Sequence, residues 1–412
     1  MKFEDFVSCE GKDIFAKTKN FDTFLKENKE TGGEGLGVRT LGPAAPESMM
    51  REKTGEAHNC IMMGSNSYLN LTTHPQVVQG ARKALEKYGY GMGSVSLYGG
   101  ITDLHRELEE RIAAFYGAED AVLFPSGYGT NVGSISALCG PGDVIINDSA
   151  NHASIFDGCR LSGAEIKIYP HGNIKALEKI LARLPAGKKG RLIITDGVFS
   201  MHGDIAKLDE IYALAQKHGA RLMVDDAHGL GIVGPTGKGT AEHYGLNGKI
   251  DLNVGMLSKV PGAIGGYCAT TKEAAQYLRI YGRTYFFSTS IPAPVVGGLI
   301  EVFKLLEQDK AGRTQLWENI NYIKTELNNL GFNTGDSQSG VIPVIVGDEE
   351  KLIKFYNELR LGGVYTNIVT YPAVRRKECR LRLCVMKDLN KEQIGRALEL
   401  ITRLGRKYEI IK

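Results

Sequence analysis

Residues 192–229 read LIITDGVFSMHGDIAKLDEIYALAQKHGARLMVDDAHG, and the pattern of this stretch decides the fold. Leu192–Thr195 is a short apolar run without polar alternation, as expected of a strand covered on both faces. Leu208–His218 sets Leu208, Ile211, Tyr212 and Ala215 at the i, i+3, i+4, i+7 spacing of one helix face. Leu222–Asp225 is a second apolar run ending in an acid. Strand, helix and strand in succession form a βαβ unit, whose strands lie parallel.

The alternation extends in both directions. Strands are expected at Ala121–Phe124, Val144–Asn147, Ile166–Tyr169, Leu252–Leu257 and Gly266–Ala269, with helices Leu104–Tyr116 and Ile174–Leu184 among them. The fold class is therefore α/β, with a mostly parallel, doubly wound sheet. Past Pro292 and Pro294 the pattern changes to a long helical stretch reaching Leu330, strand Val341–Val346, helix Glu349–Leu361, strand Arg380–Val385 and a closing helix from Asn390, which together make a compact α+β domain. Residues 1–60 are polar, punctuated at Thr31–Gly37 and Pro43–Pro46, and without a sustained period, as expected of an arm lying over a core or a partner. The expected division is an arm at 1–60, a large domain at 61–295 and a small C-terminal domain at 296–412.

Composition narrows the function. Fifty basic and 47 acidic side chains among 412 residues leave a formal charge of +3, which favours neither a nucleic-acid surface nor an anionic membrane patch. The seven cysteines, Cys9, Cys60, Cys139, Cys159, Cys268, Cys379 and Cys384, are odd in number and never spaced CxxC. Neither a disulfide framework nor a metal site is expected, and a reducing cytoplasm fits. The N-terminus has acids where a signal peptide is apolar, and no apolar run approaches the roughly 18 to 20 residues of a membrane span.

In an open α/β sheet, ligands sit at the carboxyl ends of the strands. Four of those ends carry unusual chemistry. Ser126-Gly127-Tyr128-Gly129 opens a helix, where free N–H groups and the helix dipole can cradle a phosphate. Asp148-Ser-Ala-Asn151-His152 puts a histidine at a helix start, where its ring can stack on a flat group. Asp225-Asp226-Ala-His228 follows a buried strand, and a buried acid needs a cation such as a protonated pyridine nitrogen. Ser258-Lys259 ends another strand in a glycine-rich turn, the setting of a Schiff-base lysine. Taken singly, three of the four have an ordinary reading: a common strand–helix turn, a capping histidine, a surface amine. Together they are the set of groups that pyridoxal phosphate requires.

Further motifs are Asn66-Ser-Tyr-Leu69, Gly89-Tyr-Gly-Met-Gly-Ser94, Asp103-Leu-His-Arg-Glu-Leu-Glu109, Asp196-Gly-Val-Phe-Ser200-Met-His-Gly-Asp204, Phe287-Ser-Thr-Ser-Ile-Pro292 and Arg380-Leu-Arg382. With these, the chain from Asn66 onward resembles the α-oxoamine synthases, fold-type I pyridoxal-phosphate enzymes that include serine palmitoyltransferase, glycine C-acetyltransferase and 8-amino-7-oxononanoate synthase. The resemblance implies that Lys259 forms the aldimine and moves the Cα proton. It implies that Asp225 keeps the pyridine nitrogen protonated, His228 bonds the ring hydroxyl and His152 stacks on the ring. Ser126, Gly127 and Tyr128 match the phosphate loop, and Ser258 adjoins the lysine. Ser288 and Thr289 match a segment that reaches the phosphate of the other subunit in a homodimer. Asp196 and Ser200 match positions near the ring, Arg382 the arginine for the substrate carboxylate, Asn66 a segment lining that pocket, and Gly93 a turn near the acyl substrate.

The implied reaction is decarboxylative condensation of serine, glycine or alanine with an acyl-CoA or acyl-carrier thioester to an α-aminoketone, most like serine palmitoyltransferase. Glycine C-acetyltransferase, 8-amino-7-oxononanoate synthase and, in another class, a fold-type I aminotransferase remain open. A regulatory subunit of the same fold is disfavoured by Lys259. Three departures bear on the acyl pocket and the phosphate: Met256 where threonine is common, Ser96 where arginine is common, and Met386-Lys-Asp-Leu-Asn390 after the arginine pair.

Overall fold

The computed structural model describes residues 13–27, 37–185 and 190–412, so Cys9 and most of the Thr31–Gly37 stretch lie outside the described residues. The chain divides into two compact units, one of residues 66–317 with 338–340 and one of residues up to 65 with 318–337 and 341–412.

The larger unit is built on seven strands. Their order from one edge is Asp120–Phe124, Gly266–Thr270, Leu252–Met256, Arg221–Asp225, Arg191–Asp196, Val144–Asp148 and Glu165–Tyr169. All neighbours pair parallel except Gly266–Thr270, which runs antiparallel to both its partners. The inner strands are buried along nearly their whole length, because helices cover the sheet on both faces: Ile135 and Ile155 pack with Val122, Ile194 and Val254 on one, Leu177, Leu208 and Ile211 with Ile146, Ile193 and Leu222 on the other. Register sets the carboxyl ends of the parallel strands side by side, with Asp196 opposite Asp225 and Asp225 opposite Val254.

The boundary expected between residues 295 and 296 moves. Helix Ala293–Gln308 buries Val296, Leu299, Ile300 and Phe303 within the larger unit. It lies so close to helix Pro75–Tyr88 that a Cβ on Gly80 would stand 2.6 Å from the Gly297 carbonyl. The division instead falls between Trp317 and Glu318, inside helix Lys310–Asn329.

Nor is the described part of residues 1–60 a loose arm. After helix Ala16–Glu27, strands Glu47–Arg51 and Ala57–Met62 form an antiparallel pair, extended by Arg39–Thr40 and, in parallel, by Val364–Tyr365. Ser48 and Met50 point inward and Met49 outward, the period-2 alternation of a half-covered sheet. A buried ion pair between Glu52 and Arg360 fastens this segment to helix Glu349–Leu361. The smaller unit also holds a three-stranded antiparallel sheet with Arg380–Cys384 between Val341–Ile345 and Asn367–Val369. Its last helix, Lys391–Lys407, starts at an Asn390/Gln393 capping box. No helix among the described residues is long and apolar enough to cross a membrane, and the six described cysteines are buried thiols.

Candidate active site

Successive residues of a strand face opposite sides of the sheet, so Asp225 and Asp226 part company. Asp225 is 4% exposed. Its Oδ2 accepts from Asn131 Nδ2 at 2.7 Å and its Oδ1 from the Ala227 N–H at 3.1 Å. Burial raises its pKa against the lowering effects of the Asn131 bond and the nearby His152, Ala227 and Lys259. Asp196, beside it in register, is pushed well up by burial and then by the charge of Asp225. Asp226 accepts from the Thr240 N–H at 2.7 Å, and burial carries it to about 7. It is hemmed in by glycine: a Cβ on Gly229 or Gly239 would come within 2.0 or 1.8 Å of its carboxylate oxygens.

His152 caps helix Ala153–Ser162. Its Nδ1 accepts from the Ser154 N–H at 3.3 Å and lies 2.7 Å from Ser154 Oγ, while the His152 backbone N–H donates to Asp196 Oδ1 at 3.4 Å. The residue is exposed, leaving the ring open as one wall of a site. His228 is buried, with Nδ1 2.8 Å from the Tyr68 hydroxyl.

The phosphate-cradle sequence starts helix Gly127–Leu138. Ser126 Oγ accepts the Gly129 N–H at 3.0 Å, and the N–H groups of Gly127 and Tyr128, at the first two positions, have no intrahelical carbonyl to meet. Tyr128 hydrogen-bonds Asp157 through its hydroxyl and sets its ring edgewise to His152. Met256 lies against this turn: a Cβ on Gly127 would be 1.9 Å from Met256 Sδ, so only glycine fits there as the two stand. Three residues on, half-buried Lys259 follows exposed Ser258, and its charge acts on Asp225.

Ser288 and Thr289 lie in the segment before helix Ala293–Gln308, where Thr289 bridges to Val95 and the Ser290 N–H reaches the Ser94 carbonyl at 3.4 Å, just beyond Gly93. Ser200 is half-buried in the turn after Asp196, and Asn66 half-buried at the start of the larger unit. Arg382 belongs to the smaller unit, buried in the middle strand of its three-stranded sheet with Nη1 3.2 Å from Cys384 Sγ. The larger unit thus brings together Asp225, Asp196 and His152, and sets Lys259 within electrostatic reach of Asp225. Three contributors were not singled out from the sequence: Asn131, Ser154 and Tyr68. All three stand in stretches with sequence signals, Tyr68 in Asn66–Leu69, Ser154 two residues after His152 and Asn131 in the first turns of the helix that Ser126 caps, but none had been given a role.

Pyridoxal phosphate fits these residues. Asp225 is a carboxylate whose burial disfavours its charge and whose hydrogen-bond donors are neutral amides, so a ring cation would complete it. The helix start supplies N–H groups for a phosphate, and the exposed His152 ring a flat surface.

Beside this site His171 bridges two carboxylates, with Nδ1 3.1 Å from Asp148 Oδ1 and Nε2 3.1 Å from Asp204 Oδ2. Burial works to lower its pKa, but the two acids outweigh it and hold the imidazolium up to about 10. A cation whose folded pKa is raised stabilises fully below its unfolded value of about 6.5 and loses that contribution as pH climbs through the folded one. His171→Gln should therefore cost about 2 to 3 kcal/mol at neutral pH, and the gap to wild type should close between about pH 7 and 10. Urea melts across that range test it; a pH-independent gap would mean the charge is not what stabilises.

The aminotransferase class I and II family matches residues 58–401. The chain is 41% identical over 392 residues to the 8-amino-7-oxononanoate synthase of Thermoanaerobacter pseudethanolicus, covering 94% of this chain and 98% of that protein. It is 39% identical over 398 residues to the 4-hydroxy-2,2'-bipyrrole-5-methanol synthase PigH of a Serratia species, covering 96% of this chain but spanning only 61% of that relative's length. Among solved structures, Sphingomonas wittichii serine palmitoyltransferase superposes with a TM-score of 0.91 at 32% identity, covering 97% of this chain and 100% of that one.

Proposed function

This chain belongs to the α-oxoamine synthases, pyridoxal-phosphate-dependent acyltransferases of the class I and II aminotransferase family, and we propose that it condenses a small amino acid with an acyl thioester, releasing the thiol and carbon dioxide to give an α-aminoketone. The observation that carries the site assignment is the Asp225 carboxylate, 4% exposed and held by amide donors where a ring cation would complete it.

The cofactor supplies an electron sink for the pair left on the substrate Cα. The remaining work falls to side chains. Asp225 would hold a proton on the ring nitrogen, and His152 would cover one face of the ring. With the Tyr68 hydroxyl 2.8 Å from its Nδ1, His228 would present its other ring nitrogen, Nε2, to the ring hydroxyl. Ser126 and the N–H groups of Gly127 and Tyr128 bind the phosphate, with Ser288 and Thr289 of a partner subunit completing it in a homodimer. Asp196 and Ser200 flank the ring. Lys259, following Ser258, anchors the cofactor and its amine takes the Cα proton. Arg382 would grip the substrate carboxylate as a planar fork. By fixing rotation about the substrate Cα, the contacts of Arg382 and His152 would choose which Cα bond feeds that electron sink.

Two readings of the acyl donor have distinct support. The close superposition on serine palmitoyltransferase and the Asp196–Asp204 motif favour serine with a long-chain thioester. The higher sequence identity favours an 8-amino-7-oxononanoate synthase type of reaction. Serine, alanine and glycine tested against thioesters of increasing chain length, scored by free thiol and carbon dioxide, separate them. One pair should dominate, with thiol and carbon dioxide released in equal amounts. Amino-group transfer to a keto acid with no thiol release from any pair would overturn the acyltransferase reading.

A further inference from the structure

His152 and Asp225 stand on different strand ends, yet a single amide lies between them. Asn131 is fully buried on helix Gly127–Leu138. Its Nδ2 is 2.7 Å from Asp225 Oδ2 and 2.9 Å from Ser154 Oγ, and Ser154 Oγ is 2.7 Å from His152 Nδ1. The proton directions along this path follow from what each atom can do. An ionised carboxylate only accepts, so the amide must turn its nitrogen, not its oxygen, toward Asp225. That nitrogen has two protons, and the second goes to Ser154 Oγ. Having accepted from Asn131, Ser154 directs its own hydroxyl proton to His152 Nδ1. The Ser154 backbone N–H is aimed at the same nitrogen from 3.3 Å. Two donors converge on Nδ1, so that atom presents its lone pair and the ring proton sits on Nε2.

We propose that Asn131 and Ser154 are positioning residues, a hydrogen-bonded bridge that fixes His152 as its Nε2–H tautomer and ties that ring to the carboxylate of Asp225. The inference rests on the roles given above to His152 and Asp225. Its consequence is mechanical and electrostatic. A neutral imidazole can lie flat against a protonated pyridine without two cations facing each other, and the same amide that holds Asp225 in line with the ring nitrogen sets the pitch of the stacking ring. The two walls of the pocket move as one. Asn131 touches neither the ring nor the substrate in this scheme, and acts entirely through its two acceptors.

The test uses the holoenzyme, labelled with ¹⁵N in its histidine rings, with the His152 signals assigned by their loss in His152→Gln. In wild type these signals should report an Nε2–H ring and should shift when cofactor is removed. Asn131→Ala should move them although its side chain does not contact His152, and should lower kcat about tenfold while leaving KM within about twofold. Ser154→Ala should act alike, Ser154→Thr should restore both signal and rate, and Ser154→Ala with Asn131→Ala should be no slower than either alone, because both break one path. Unchanged His152 signals in Asn131→Ala or, if that variant does not fold, in Ser154→Ala would overturn the bridge. Independent, multiplying losses would overturn it as well. His152 signals indifferent to cofactor in wild type would instead overturn the placement of His152 on the ring, which separates failure of the site from failure of the bridge.

Discussion

Lys259→Ala is expected to lower turnover by at least about 10³-fold, roughly 4 kcal/mol of transition-state stabilisation, and to end covalent capture of the cofactor by borohydride. Two functions leave with one side chain, the covalent anchor and the base for the Cα proton. Backbone hydrogen bonds hold the turn around it. The turn is held by Leu257 N–H to the Gly265 carbonyl at 3.0 Å, Ala263 N–H to Leu257 at 2.7 Å and Gly262 N–H to Lys259 at 3.0 Å. Gly262, at φ +70°, lies where a Cβ would meet Thr72 Cγ2 at 2.2 Å, so the bend is built from glycine rather than from the lysine. The variant should therefore fold, and still bind the cofactor through Asp225 and the phosphate turn. Intact mass after borohydride treatment gives the answer directly: wild type gains one reduced cofactor per chain and Lys259→Ala gains none. A persistent adduct in the variant would move the anchor to another lysine and dismantle the site assignment.

Much of the larger unit was legible because its strands are apolar runs closed by a chemical residue. Val144–Asp148, Arg191–Asp196 and Arg221–Asp225 each end in an acid at the sheet's carboxyl edge, and each was visible as hydrophobicity followed by charge. The reversed direction of Gly266–Thr270 was not legible, since five wholly buried residues read the same in either orientation. Glu47–Arg51 hid for the opposite reason: two inward side chains in five residues are too few to establish a period, and Val364–Tyr365, the far strand of its sheet, lies some three hundred residues away. The site divides along the same line. Lys259, Asp225 and His152 are marked in the sequence only as a set at neighbouring strand ends, whereas Asn131 and Tyr68 reach Asp225 and His228 across 94 and 160 residues of sequence. Their roles exist only once the sheet order is fixed. Met256 shows both sides, since the sequence marks it as an unusual neighbour of the lysine and the structure sets its sulfur on the phosphate turn.

Asp225→Asn separates folding from chemistry most sharply. In the protein without cofactor, burial holds the Asp225 carboxyl above its ordinary range. An acid with a raised folded pKa weakens the fold as pH rises above the unfolded value near 3.9, so removing its charge relieves the apoprotein at neutral pH. Against that, the new amide turns a donor toward either Asn131 Nδ2 or the Ala227 N–H, a mismatch costing about 1 to 3 kcal/mol. The two effects oppose, and the apoprotein's melting temperature at pH 7 should stay within a few degrees of wild type. The reaction has no such offset. A carboxylate close to a basic nitrogen raises that nitrogen's pKa by about 1 to 3 units, and forfeiting this stabilisation should lower kcat by about 10- to 10³-fold. Lowering the pH restores the ring proton without help from residue 225, so the variant's kcat should rise as pH falls through the neutral range while that of wild type stays level. A variant that keeps the wild-type rate, or one that loses rate with an unchanged pH profile, would show that Asp225 does not hold the ring proton and that its burial serves the sheet alone.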